Sequence, residues 1–174
     1  MTGSRRGRTV REFPNELTIV TSREFHAPME LVFDALTMPA HIRHWWATGG
    51  DTMTVCDVDL RVGGDFHHVF VTPEGVQFSF RGTFLEVERP FCVVNTWLFE
   101  GWPGAWAEEH HELSEAAGVT TLKTTMTFQD LDGRAHLKVS PESSSLSAND
   151  NGHDASLDAL EELLHSLVNS PPAS

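Results

Sequence analysis

Residues 58–88 read VDLRVGGDFHHVFVTPEGVQFSFRGTFLEVE, and this stretch decides the fold. Gly63-Gly64 and Pro73-Glu74-Gly75 are turn signals, because glycine accepts positive φ and proline fixes φ at the start of a turn. From Val76 to Phe84, apolar residues alternate with polar ones, which is the period of a strand with one buried face. The stretch therefore predicts three antiparallel strands with an aromatic inner face, which the rest of the chain must cover.

The charge of the chain is acidic and unevenly distributed. The formal net charge is −13, yet residues 1–11 contain four arginines and no acidic residue. The remaining residues are therefore more acidic than the total suggests. A body of this charge repels phosphate backbones, so the composition predicts no nucleic-acid binding.

The sequence also limits where the protein acts. No stretch reaches the roughly 18 apolar residues of a membrane span, and no apolar run follows the basic N-terminus, so we expect no membrane insertion and no secretory signal. Cys56 and Cys92 stand apart, without CxxC spacing. They predict a reducing, cytoplasmic location and provide no framework for a metal or cofactor, so we expect none.

The order of the patterns predicts a single α+β domain. A strand over 17–25 precedes two short helices, six further strands and a C-terminal helix with leucines at 157, 160, 163, 164 and 167. We predict a curved seven-stranded antiparallel sheet wrapped around that long helix. The expected limits are a disordered basic leader over 1–14, the domain over 15–169 with a flexible insertion near 138–150, and a tail over 170–174.

These motifs, in this order, resemble the START-like superfamily, also called Bet v 1-like, SRPBCC or the helix-grip fold. More narrowly, the chain resembles its bacterial branch named after the activator of the ninety-kilodalton heat-shock protein ATPase. The resemblance extends over about residues 17–168, and its most specific part is the D-x-R-x-G-G-x-aromatic strand. It is carried by Phe25-His26-Ala27-Pro28, Trp45-Trp46, Asp59 to Phe66, Arg81 to Val87 and Ser156 to Leu160.

The resemblance implies a cavity between the sheet and the C-terminal helix. Pockets of this kind bind apolar small molecules through a few fixed polar groups. The predicted function is therefore to hold a hydrophobic or aromatic ligand there. The alternative for each residue is that it simply fills a dry core. The candidate lining residues are Trp45, Trp46, Phe66, His68, Phe78, Phe80, Trp97, Met126 and Leu160.

Histidines and acidic residues offer a second hypothesis. His67-His68 and His110-His111 are adjacent pairs on strands, so the members of each pair point to opposite faces. His41 and His44 have helical spacing but no third ligand, so we predict no metal site. Glu108 or His110 could face the cavity as an acid or base, whereas the alternative is an exposed strand face.

The residue patterns and the resemblance together imply three function classes. The first is a ligand-binding protein without enzyme activity. The second is a cyclase-, aromatase- or hydrolase-like enzyme that uses a cavity histidine or glutamate. The third is a module that contacts a chaperone, although the chain lacks the separate N-terminal domain of the eukaryotic activators. Asp59 and Arg61 are expected to form a structural ion pair in any of these cases.

Overall fold

A computed structural model describes residues 7–47, 49–102, 104–136 and 148–170, with side chains from residue 155 onward in the last range. The described residues form eight strands and four helices. The strands are β1 Val10–Asn15, β2 Thr18–Phe25, β3 Thr52–Val58, β4 Asp65–Val71, β5 Gln77–Glu88, β6 Cys92–Phe99, β7 Ala107–Ala116 and β8 Val119–Phe128. The helices are α1 Met29–Thr37, α2 Pro39–Trp45, α3 Leu131–Ala135 and α4 Ala148–Asn169.

All eight strands form one antiparallel sheet in the order β1-β2-β8-β7-β6-β5-β4-β3. The predicted count of seven strands is therefore wrong by one. The additional strand is β1, which takes in residues assigned to the leader and pairs Val10 with Ser22. It is an edge strand without a fully buried residue, so its sequence carries no clear alternation of apolar and polar positions.

The main core lies between one face of the sheet and the helices α1, α2 and α4. We call this side of the sheet the inner face. Val32 and Phe33 of α1 are fully buried there, and the predicted leucine stripe of α4 supplies Leu157, Leu160 and Leu164. Strand residues from both halves of the sheet complete the cluster, namely Phe25, Phe66, Phe84, Val93, Leu113 and Leu122.

The loop between β3 and β4 contains the glycine pair of the D-x-R-x-G-G sequence. Gly63 has a φ of 83°, and its amide donates to the Phe84 carbonyl, while the Phe84 amide donates to the Gly64 carbonyl. The loop is thereby attached to β5. The expected ion pair is confirmed, with 2.8 Å between Arg61 Nε and Asp59 Oδ2. Both side chains are exposed, so the pair contributes little to stability.

A buried arginine joins the sheet to α4. Arg23 lies on β2, and its Nη2 is 2.7 Å from Asp158 Oδ1 and 2.9 Å from Glu161 Oε2. The Arg23 side chain is almost fully buried, so these charge-assisted hydrogen bonds compensate for the loss of its water. The strand pattern alone left the inward side of β2 undecided, and this contact explains why a charged residue lies there.

Two expectations concern the segment before α4. The predicted insertion near 138–150 falls largely outside the described residues, although residues 148–150 begin α4. The short helix α3 was not predicted; the Asp130 side chain caps it by accepting a hydrogen bond from the Gly133 amide at 2.7 Å. Within the described ranges, no helix is both long and apolar enough to cross a membrane.

Candidate functional site

One end of the inner face is covered with aromatic rings, which we call the aromatic wall. The rings come from the end of α2 and from three neighbouring strands, β4, β5 and β6. They form a continuous series of ring contacts with centroid distances between 5.0 and 5.9 Å. The members are Trp46, Phe66, His68, Phe70, Phe78, Phe80, Trp97 and Phe99.

The strand register explains why these rings meet. His68 pairs with Phe80, Phe70 pairs with Phe78, and Phe80 pairs in turn with Phe99. Residues directly opposite each other in an antiparallel pair place their side chains on the same face, within contact distance. The period-two pattern of the sequence is therefore converted into rows of rings that cross the sheet.

Gly82 gives the Phe66 ring the space that it occupies. Phe66 pairs with Gly82 across the β4–β5 ladder. A Cβ atom at position 82 would collide with the Thr96 carbonyl oxygen and would lie 2.5 Å from the Phe66 ring. The glycine therefore permits the close approach of the ring to the backbone of β5.

Part of the aromatic wall remains open to contact. Phe66, Phe70 and Trp97 are buried, whereas Trp46, Phe78, Phe80 and Phe99 are only half-buried. These half-buried rings face the same side as the core helices and leave part of their apolar surface uncovered. An apolar guest could cover this surface.

His68 is the polar group of the aromatic wall. Its side chain is 4% exposed, and the ring centroids of Trp46 and Phe66 lie 5.0 and 5.1 Å away. Burial lowers the pKa of His68 to about 4, so the ring is uncharged near neutral pH. Its Nδ1 has no hydrogen-bond partner within the described structure. A buried polar atom without a partner is costly, and a ligand group that pairs with it would recover that cost.

The structure brings six of the nine predicted lining residues into the aromatic wall: Trp46, Phe66, His68, Phe78, Phe80 and Trp97. The other three are not among its rings, although each packs with a member of the wall. The Trp45 ring lies 6.0 Å from the Trp46 ring, and Leu160 shares the main core with Phe66. Trp45 donates from Nε1 to the Ala35 carbonyl at 2.8 Å and packs in the main core, where Leu160 is also buried. Met126 packs with Trp97 and Phe128 in a second cluster. Phe70 and Phe99 were not among the predicted lining residues, although they lie in step with His68 and Trp97 along their strands.

The orientation predicted for the charged strand β7 is wrong, because Glu108 and His110 do not face the inner side of the sheet. Ala107 and Leu113 are buried, so the residues in step with them, Glu109 and His111, point to the inner face. The Glu109 and His111 side chains are 15% and 21% exposed, against 41% and 42% for Glu108 and His110. Glu108 and His110 therefore lie on the outer face of the sheet. The sequence EEHHE offers no apolar residue that could fix the phase.

An open groove of about 670 Å³ lies along β4, β5 and β6, where most of its lining side chains point to the outer face. Two members of the aromatic wall, Phe66 and Trp97, also contribute to its lining. The lining combines apolar surface with charged side chains, and Arg81 and His67 lie 3.6 and 3.8 Å from a carboxylate oxygen of Glu100. The lining also includes Asp65, Thr83, Thr96, Leu98 and Trp106.

The histidine pairs are oriented as predicted. His68 is buried while His67 is half exposed, and His111 faces inward while His110 faces outward. Across the described ranges, no group of three or more histidine, cysteine, aspartate or glutamate residues is arranged to hold a metal ion.

Comparison with known families places this geometry in context. Residues 26–165 match the model of the family described as "Activator of Hsp90 ATPase homolog 1-like protein". The chain belongs to this family. The match includes all of the aromatic wall and the inward pair of β7. It confirms the resemblance drawn from the sequence motifs. A comparison with curated proteins found no match.

Solved structures share the fold over nearly the whole chain. A protein from Rhodobacter sphaeroides has 21% identity and a TM-score of 0.81, and the alignment covers 91% of this chain and 99% of that one. A protein from Nitrosomonas europaea has 26% identity and a TM-score of 0.74, with 90% and 99% covered. An AHSA1-like protein from Aeromonas hydrophila has 23% identity and a TM-score of 0.62, with 89% and 98% covered.

Proposed function

We propose that this family member binds a hydrophobic, ring-bearing small molecule against the aromatic wall. In this proposal the sheet curves around α4 as in the helix-grip fold and leaves an internal cavity for the guest. The wall supplies apolar contact, and the predicted lining residues Trp46, Phe66, His68, Phe78, Phe80 and Trp97 supply its rings. Because Cys56 and Cys92 are free thiols, we also propose that the protein acts in the reducing cytoplasm.

The observation that carries the proposal is the unpaired Nδ1 of His68 among aromatic rings. An apolar core does not gain from an unsatisfied polar atom, since each costs about 1–3 kcal/mol. A binding site does gain, because one polar atom in an apolar wall fixes the orientation of a ligand. The neutral state of His68 near neutral pH suits a ligand whose own polar group is a neutral donor or acceptor.

The outer groove fits this role less well. Its charged side chains already face one another, since Arg81 and His67 both approach Glu100. It is open to solvent, so an apolar molecule would lose little contact with water there. The aromatic wall offers half-buried rings on the same face of the sheet as the core helices. We therefore place the ligand on the inner face.

An acid–base enzyme is the second candidate, and the inward position of Glu109 and His111 favours it. These two residues, rather than Glu108 and His110, would have to carry the proton transfer. A substrate would then be bound by the same wall, so the binding experiment below also tests the first requirement of this alternative.

The test is a titration with N-phenylnaphthylamine, a neutral apolar dye, followed by tryptophan quenching and by calorimetry. We expect saturable binding of one dye per chain. Trp46→Leu removes a ring from the aromatic wall and should weaken binding about tenfold. Trp106→Leu is the matched control, because Trp106 lines the outer groove, and it should leave the affinity unchanged.

Two results would overturn the proposal. One is the absence of saturable binding to the wild-type chain. The other is the reverse pattern, in which Trp106→Leu weakens binding and Trp46→Leu does not, since the dye would then occupy the outer face.

A further inference from the structure

A polar stripe crosses the inner face beside the aromatic wall. In neighbouring strands, Glu109 pairs with Asn95 on one side and Met126 on the other, and His111 pairs with Thr124. Thr124 pairs in turn with Thr21 of β2. Five polar side chains therefore share one region of the inner face: Thr21, Asn95, Glu109, His111 and Thr124.

Contacts within the stripe hold the His111 ring in place. His111 Nδ1 is 3.1 Å from Thr124 Oγ1, and His111 Nε2 is 3.3 Å from Glu109 Oε2. Both ring nitrogens are thus engaged by side chains of the sheet. The Glu109 carboxylate has two oxygens and about four lone-pair positions, of which the contact with His111 uses one. The remaining capacity of the carboxylate is for accepting hydrogen bonds.

The stripe adjoins the aromatic wall through Trp97. The Trp97 ring lies 5.6 Å from the Phe80 ring of the wall, and Trp97 pairs with Ala107, two residues before Glu109. Both features point to the same side of the sheet. A molecule that lies on the rings can therefore extend toward Glu109 without crossing the sheet.

The negative charge of Glu109 limits which polar groups of a ligand can bind beside it. A carboxylate accepts hydrogen bonds and attracts cations, while it repels a second carboxylate or a phosphate, and the effect is stronger away from bulk water. Glu109 is more buried than its neighbour Glu108, so its charge acts more strongly on a nearby ligand group. Asn95 and Thr124 are neutral and do not offset the negative charge, and the titratable group in contact is His111. Arg23, the cation on the inner side of β2, is already paired with Asp158 and Glu161.

We infer that Glu109, held by His111 and Thr124, recognises the polar end of the guest. The site selects molecules with a hydroxyl or amine donor over those with a carboxylate or phosphate on the same ring skeleton. This inference rests on the proposed binding function and adds the chemical class of the ligand. His111 and Thr124 act as positioning residues, because they fix the carboxylate.

The test uses three probes that share one ring system: naphthylmethanol, naphthylmethylamine and naphthoate. Affinities for the wild-type chain are measured near neutral pH by tryptophan quenching and calorimetry. The alcohol and the amine should bind about tenfold more tightly than naphthoate. Each of the first two donates a charge-assisted hydrogen bond to Glu109, whereas the carboxylate of naphthoate is repelled. Glu109→Gln keeps the size of the side chain and removes its charge, so this preference should fall to about threefold or less.

Glu108→Gln is the matched control, because it removes the same charge from the adjacent outward residue. It should leave the ranking of the three probes unchanged. The same preference in Glu109→Gln as in the wild type would overturn the inference while the binding function survives. Equal or tighter binding of naphthoate by the wild type would also overturn it, whether or not the variant folds. Failure of all three probes to bind would remove both the inference and the proposed function.

Discussion

His68 and His111 lie on the same inner face, three strands apart in one sheet, in opposite surroundings. His68 is enclosed by rings, and its Nδ1 has no partner within the described structure. His111 is held at both nitrogens by Thr124 and Glu109. At the register positions beside His68 the sequence supplied Cys56 and Phe80, whereas β7 and β8 supplied hydroxyl and carboxylate groups beside His111.

The difference between His68 and His111 shows that residue type alone does not define a role in this fold. The same imidazole is a neutral, unsatisfied group in one half of the inner face and part of a satisfied polar network in the other. We assign the ring contacts and the hydrogen bond to His68 to the first half, and selection of the ligand by the charge of its polar end to the second. The variants below separate these halves.

The largest effect should come from the pH dependence of stability in the aromatic half. The pKa of His68 is lowered by burial from 6.5 to about 4 in the folded state. Between these pH values the unfolded chain binds a proton that the folded chain does not, so stability falls as pH falls through this range. The loss should reach about 3 kcal/mol by pH 4.

Chemical denaturation of the wild type and of His68→Leu across this range checks the prediction. The variant should lack this part of the acid destabilisation. His67→Leu, which removes the outward neighbour on the same strand, should retain it. If the free energy of unfolding depends on pH in the same way in the wild type and in His68→Leu, the lowered pKa of His68 is contradicted.

The next effect should come from Gly82, where the backbone of β5 meets the Phe66 ring. Gly82→Ala places a methyl group against the Thr96 carbonyl and the ring, so the free energy of unfolding should fall by about 2–3 kcal/mol. Urea denaturation measures the change. Thr83→Ala, the outward neighbour on the same strand, should cost less than about 1 kcal/mol. An equal loss in the two variants would contradict the close approach at Gly82.

A smaller effect is expected where the polar half is attached to α4. Arg23→Met keeps much of the side-chain volume but leaves Asp158 and Glu161 without their buried cation, so unfolding should become easier by about 2 kcal/mol. Arg61→Met removes the exposed pair with Asp59 and should change stability by less than about 0.5 kcal/mol. Thermal denaturation of both variants tests the difference, and similar melting temperatures would contradict it.

The aromatic half could be predicted from the sequence because its signal is local. Alternation from Val76 to Phe84 indicated which side chains share a face, and the turn residues indicated where the three strands of this stretch are joined. The leucine stripe likewise identified the side of α4 that packs on the sheet. These features depend on the spacing of neighbouring residues, which the sequence shows directly.

The polar half could not be predicted in the same way. The EEHHE sequence of β7 has no apolar residue to indicate its phase, so the wrong pair was assigned to the inner face. The contact of Arg23 with Asp158 joins residues 135 positions apart, and no local pattern reports it. The strand β1 was missed because an edge strand with little burial has a weak hydrophobic signal.

The most direct test of the central claim is to locate a bound guest. Intermolecular nuclear Overhauser effects between N-phenylnaphthylamine and the protein would do this in solution. The account predicts contacts from the dye to the ring protons of Trp46, Phe78 and Phe80. Contacts to Trp106 and Leu98 in their place would put the guest in the outer groove and contradict the assignment of the inner face as the binding surface.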